Sequence, residues 1–192
     1  LMQPLNASFP TDDLFDWYDT YGRNLPWRHW WPALAPVYHL WLSEIMLQQT
    51  IVKTVIPYFL DFTGRWPTIE TLAAAPVDDV LAAWAGLGYY ARARNLHKTA
   101  RIIVAEYGGN FPTDQKTLLA LPGIGPYTAS AIMVMGYGQP GVVVDGNIER
   151  VISRFFAIKA PLPRAKKDII AAYEQCRPTA RPSDFPQALM DF

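Results

Sequence analysis

The sequence predicts an all-α protein, and three observations predict it. Apolar residues recur at helical spacing through nearly every segment of the 192 residues. The only β-branched run, Val142-Val143-Val144, is too short to establish a sheet. And Leu118-Leu119-Ala120-Leu121-Pro122-Gly123-Ile124-Gly125-Pro126-Tyr127 reads as a helix, a tight turn and a second helix. This hairpin is the stretch around which the rest of the chain is organised.

Each element has a local reason. Thr11 is placed to cap a first helix through Tyr21, with Leu14, Trp17, Tyr18 and Tyr21 on one face and Gly22 ending it. An irregular connection rich in proline and tryptophan follows, and a second helix runs from about Val37 to Gln49. The next begins near Thr50, and Pro57 is expected to kink or split it. Thr68 starts a short helix and Val77 to Trp84 form another. Gly86-Leu87-Gly88 makes a sharp turn into a long amphipathic helix, Tyr89 to Tyr107, closed by Gly108-Gly109. Thr113 is positioned to cap the helix entering the hairpin, whose second helix runs to about Tyr137. Asp145-Gly146-Asn147 opens a helix with Ile148, Val151, Ile152 and Phe155 inward. Pro163 precedes a basic-surfaced helix to Cys176, and Ser183 or Asp184 caps a last one.

Composition excludes several classes. Hydrophobic residues make up 51% and charged residues 18%, so the chain is globular. No apolar run is long enough for a membrane helix, and Leu1 to Pro10 lacks the features of a secretory leader. The sole cysteine, Cys176, excludes an internal disulfide and an all-cysteine metal site within the chain, and suggests a reducing compartment. His29, His39 and His97 show no metal-ligand spacing, and no nucleotide-binding fingerprint occurs. Net charge is zero, but residues 1–88 carry 4 Lys and Arg against 9 Asp and Glu, whereas residues 89–192 carry 13 against 8. Such asymmetry can present a positive face without a basic pI; it fits solvated faces equally well.

Four places carry candidate chemistry. In the hairpin, Pro122-Gly123 stops the first helix, Gly125 permits a close or left-handed backbone, and Pro126 opens the second helix where its missing N–H costs nothing. The turn suits a phosphate at Leu121, Gly123, Ile124 and Gly125, or simply connects two helices. On a helical wheel, Glu44 falls with Val37, Leu40, Trp41 and Gln48, while His39, Ser43 and Thr50 form a wet face. A carboxyl in an apolar stripe is either a general acid or a structural partner of an arginine or backbone donor. Asp145 reads first as a helix cap; a capped carboxylate could also stabilise a developing cation. Gln48, Gln49 and Tyr89-Tyr90 are candidate wedges and stackers, and Arg92, Arg94, His97, Lys98 and Arg101 form either a solvated face or phosphate contacts.

Taken together, the segments Trp41–Thr50, Gly86–His97, Leu121–Gly125 and Val144–Ile148 resemble, in order and spacing, the MutY-type adenine DNA glycosylases of the helix-hairpin-helix base-excision repair superfamily. The resemblance implies two helical lobes with the active site in the cleft between them. A six-helix lobe would span 33–139, with the hairpin at about 113–137, and residues 1–32 plus 140–192 would form the second lobe. It implies double-stranded DNA with a mispaired adenine as partner, a monomer, and a cytoplasmic enzyme, nucleoid-associated in a bacterium. The enzyme would flip adenine mispaired with 8-oxoguanine or guanine out of the duplex. Glu44 would protonate the leaving adenine and Asp145 would stabilise the sugar cation, with Tyr127 and Asn147 beside them. Trp27 and Arg28 would edge the adenine pocket, Gln48 and Tyr89 would fill the opened duplex, and the hairpin would hold the backbone with a monovalent cation.

Sister enzymes resembling endonuclease III place a nucleophilic lysine where this chain has Tyr127, so base removal without strand cleavage is expected. Relatives usually carry four cysteines for a [4Fe-4S] cluster just past the Gln187–Asp191 helix; their absence here reads as a trimmed or partial protein, and no metal ligand is expected within the chain. Glu149 stands where a relative can carry a lysine. Two other readings fit the same residues: a glycosylase of this fold acting on thymine or uracil, and a non-catalytic DNA-binding module.

Overall fold

The computed structural model describes residues 8–192. Of the N-terminal stretch read above as lacking a leader, residues 1–7 lie outside the described residues. Among the described residues eleven α-helices follow one another: α1 (Thr11–Tyr21), α2 (Val37–Leu47), α3 (Val52–Arg65), α4 (Ile69–Ala74), α5 (Val77–Ala83), α6 (Ala91–Tyr107), α7 (Gln115–Leu119), α8 (Pro126–Ala131), α9 (Gly146–Phe155), α10 (Lys166–Cys176) and α11 (Asp184–Asp191). A π-helical turn, Ile132–Gly136, extends α8. No strand occurs among the described residues, and Val142–Val144 is extended chain. The chain divides into two compact units. One holds Leu1–Asn24, Trp30–Leu34 and Met133–Phe192; the other holds Leu25–His29 and Ala35–Ile132.

The second unit contains α2 to α8. Helix α6 packs against α2, α4 and α5, and α2 also packs against α3 and α8. Helix α2 is buried nearly all round. Polarity predicts a wet Ser43, yet it is fully buried, because its hydroxyl turns back to the Leu40 carbonyl at 2.7 Å. The helix ends at Leu47, two residues before the predicted end, because Gln48 leaves the helical region at ψ 111°, and Gln49 follows at a left-handed φ of 59°. Helix α3 runs unbroken across Pro57, which is exposed, and Ile51 just before it is also exposed. Thr68 caps α4 in a reciprocal capping box with Thr71. Asp114, not Thr113, caps α7. Gly108 and Gly109 close α6 at φ 60° and 84°, where the Gly109 N–H reaches back to the Ile103 carbonyl.

The first unit packs α1, α9, α10 and α11 around Leu14, Tyr18, Ile148, Ile152, Tyr173 and Phe185. Pro10, not Thr11, occupies the cap position of α1. Its inward face is Leu14, Phe15 and Tyr18, while Tyr21 is exposed, because Phe15 turns in against Phe185. Ser183 precedes α11 without making a side-chain cap. Arg181 instead ties the region together, pairing with the buried Asp184 at 2.8 Å and with Asp19 on α1. Arg23 grips Asp191 through both its backbone N–H and its guanidinium.

Candidate active site

The hairpin backbone is closely specified. Asp114 accepts the Thr117 N–H and hydroxyl, both at 2.9 Å, and so fixes the start of α7. Leu118, Leu121 and Ile124 are buried, whereas Leu119, expected inward, is exposed. Two contacts dock the turn on α6. The Thr99 hydroxyl donates to the Pro122 carbonyl at 2.8 Å. Gly123 lies against Asn95, where an added Cβ would stand 3.1 Å from the Asn95 Cβ. The left-handed residue is Gly123, at φ 77°. Gly125, where that freedom was expected, is extended at φ −93°, and a Cβ there would meet nothing within 4 Å. The N–H groups of Gly123 and Gly125 enter no backbone hydrogen bond among the described residues, and Pro126 follows with no N–H to offer. Such a rim of donors beside open space suits an anion.

Glu44 and Tyr127 belong to the same unit as the hairpin. Glu44 is half-buried on α2, between fully buried Ser43 and buried Ile45. Tyr127 is half-buried at the second position of α8, a helix in contact with α2. Trp27 is a core residue of this unit, edge-on to Phe59 with ring centroids 5.2 Å apart, and Arg28 beside it is half-buried.

Arg92 joins the turn after α2 to the Gly86–Gly88 turn, a role the charge pattern did not suggest. Its guanidinium donates to the carbonyls of Ile45 and Met46 at 3.1 and 3.0 Å, to that of Gln48, and to that of Leu87 at 2.9 Å. It therefore caps the C-terminus of α2 from another helix and fastens it to the Gly86–Gly88 turn. The same guanidinium lies over the rings of Trp84 and Tyr89. Gln49 and Tyr89 both sit at left-handed φ, 59° and 48°, and both are exposed. Arg92 and His97 are thus not phosphate contacts: His97 is buried with its Nε2 2.9 Å from the Ala75 carbonyl. The signal was present, since Arg92 falls on the buried stripe of Leu96, Thr99 and Ile103.

In the other unit, Asp145 caps α9. One carboxylate oxygen accepts the Ile148 N–H at 2.8 Å, and the other accepts the Asn147 side-chain amide at 3.0 Å. With both oxygens engaged, the carboxylate plane is fixed. The capping reading is confirmed, and it leaves the group able to serve a developing positive charge.

The donor set argues against an iron–sulfur cluster within these residues. No group of His, Cys, Asp or Glu that could hold a metal occurs among the described residues. Cys176 is buried, its thiol facing the Tyr173 carbonyl, and burial pushes its pKa up to about 12. One enclosed thiol cannot supply the four thiolates that a [4Fe-4S] cluster takes.

Residues 42–176 match the family model described as HhH-GPD superfamily base excision DNA repair protein. The chain belongs to this superfamily. It is 42% identical to adenine DNA glycosylase of Buchnera aphidicola subsp. Baizongia pistaciae and 43% identical to that of Homo sapiens, in each case over 93% of the chain. It spans only 50% and 34% of those proteins' lengths. Among solved structures, a thermostable thymine-DNA glycosylase superposes with a TM-score of 0.81 at 30% identity, covering 94% of this chain and 82% of that one. A non-covalent endonuclease III–DNA complex shares the fold, with a TM-score of 0.73 at 20% identity and coverage of 94% and 82%.

Proposed function

We propose that the protein is a monomeric DNA glycosylase that removes adenine mispaired with 8-oxoguanine or guanine. The observation that carries this reading is Glu44, a carboxyl on the most buried helix of its unit, in a chain more than 40% identical to adenine DNA glycosylases. A purine leaves with its electron pair on the ring, so a proton donor is needed as the bond breaks. Glu44 gives its proton to the adenine ring while the C1′–N9 bond cleaves. Asp145 stabilises the positive charge left on the sugar, and Asn147 holds Asp145 in place. Water then attacks C1′, with the Glu44 carboxylate accepting its proton. Tyr127 offers no amine, so the reaction ends at base removal. Trp27 and Arg28 edge the adenine pocket, Gln48, Gln49 and Tyr89 occupy the opened duplex, and the turn from Leu121 to Gly125 holds the backbone.

The deciding experiment is single-turnover base release from duplexes carrying A opposite 8-oxoguanine, A opposite G, and T opposite G. Adenine release is expected, and Glu44→Gln is expected to abolish it while retaining duplex binding. Equal release by wild type and Glu44→Gln would overturn the acid assignment. Release from T opposite G alone would favour the second reading, which rests on the 30% identity to a thymine-DNA glycosylase.

A further inference from the structure

The fold divides the basic residues of α6 into two sets. Arg92 and His97 turn inward and are consumed by backbone carbonyls. Arg94, Lys98 and Arg101 are exposed. At i, i+4 and i+7 they share one side of the helix, with rises of about 6 Å and about 4.5 Å between them. They form one wall of an open groove of about 890 Å³, whose facing wall is Ala73–Val77. Glu106 is the one acidic side chain in its lining. None of the three cations has a side-chain hydrogen bond or ion pair among the described residues. Like charges at this spacing repel one another, which an anionic ligand would relieve.

The position of this ridge says which anion. Asn95, between Arg94 and Lys98 in the chain, is the residue against which Gly123 packs. Thr99, next to Lys98, holds the Pro122 carbonyl. The ridge and the hairpin are therefore mounted on one rigid helix, on neighbouring sides.

We infer that Arg94, Lys98 and Arg101 form a second phosphate-contact strip, engaging the DNA backbone beyond the phosphate at the hairpin. This rests on the DNA glycosylase reading above. The strip supplies affinity without base selection, since phosphate contacts carry no sequence information. Each neutralised phosphate adds about 0.9 to the salt dependence of binding.

The test is equilibrium binding of an undamaged duplex, read by fluorescence anisotropy from about 50 to 200 mM salt. In R94Q/K98Q/R101Q, the slope of log K against log salt should fall by about 2 to 3. Arg65→Gln, which removes a cation paired with Asp61 on α3, should leave it unchanged. The melting temperature of the triple variant should be no lower than that of wild type, because removing the three like charges relieves their repulsion. An unchanged slope overturns the inference. So does loss of polyglutamate binding with the DNA slope intact, which would assign the groove to an acidic protein partner. Wild-type protein that binds duplex but releases no adenine refutes the adenine reading and leaves the strip to be judged on its slope. Wild-type protein that binds no duplex refutes both.

Discussion

Asn147 donates its side-chain amide to Asp145 across 3.0 Å, while Ile148 secures the other carboxylate oxygen at 2.8 Å. The two bonds separate a structural task from a chemical one. Asp145→Asn keeps a capping side chain and loses the negative charge; Asp145→Ala loses both. The Ala variant should cost about 1 kcal/mol of stability, and the Asn variant only a few tenths. Both should lose most base release. Melting curves and single-turnover rates on the same preparations check this pairing, and an active Asp145→Asn would reduce Asp145 to a cap.

Arg92 makes a different kind of prediction. Arg92→Met fills similar space but leaves the carbonyls of Ile45, Met46, Gln48 and Leu87 without their donor. Destabilisation of about 3 kcal/mol is expected, the scale of losing hydrogen bonds to a charged donor. Arg92→Lys should recover only part of it, because an ammonium lacks the planar fork that reaches several carbonyls at once. Urea denaturation of the two variants measures the difference.

Cys176 should be inert. Burial holds its pKa near 12, so the thiolate is scarce at neutral pH. Native protein should resist iodoacetamide at pH 8 and react only after unfolding. Cys176→Ala should leave base release unchanged. Rapid labelling of the native state would contradict the enclosed thiol.

His39 gives the pH dependence a sign. Burial, with the nearby His29 charge adding to it, lowers its pKa below the ordinary histidine value. The unfolded chain therefore binds that proton more readily than the folded one. Stability should fall as pH drops below about 6.5, the ordinary value, and be unaffected by this group above neutrality. In His39→Gln the decline in melting temperature between pH 7.5 and pH 5 should be shallower than in wild type.

Helical spacing made most of the fold legible; capping chemistry marked Asp145 correctly and fell one residue away from the cap at Thr11 and at Thr113. Three of the failures share a cause. Ser43, Arg92 and His97 are polar groups satisfied by carbonyls, in the latter two cases from segments distant in sequence. A wheel reports polarity and not where the partner lies, so such residues look solvent-facing. Likewise Gly123-Ile124-Gly125 offers two glycines for one left-handed position, and only Asn95 packing against the turn decides between them. The candidate acid, cap and hairpin were visible because each is local: a carboxyl in an apolar stripe, a side chain before a helix, a proline after a glycine.

Gln49 and Tyr89 hold backbone conformations that ordinary side chains adopt at a cost of about 1 kcal/mol each, and that glycine adopts freely. The molecule is therefore not at its own thermodynamic optimum in these turns. Gln49→Gly should raise the melting temperature while removing a side chain proposed to occupy the opened duplex, whereas in Tyr89→Gly the relief is offset by loss of the ring beneath Arg92. A screen for thermal robustness would select Gln49→Gly, and a screen for the proposed base release would discard it.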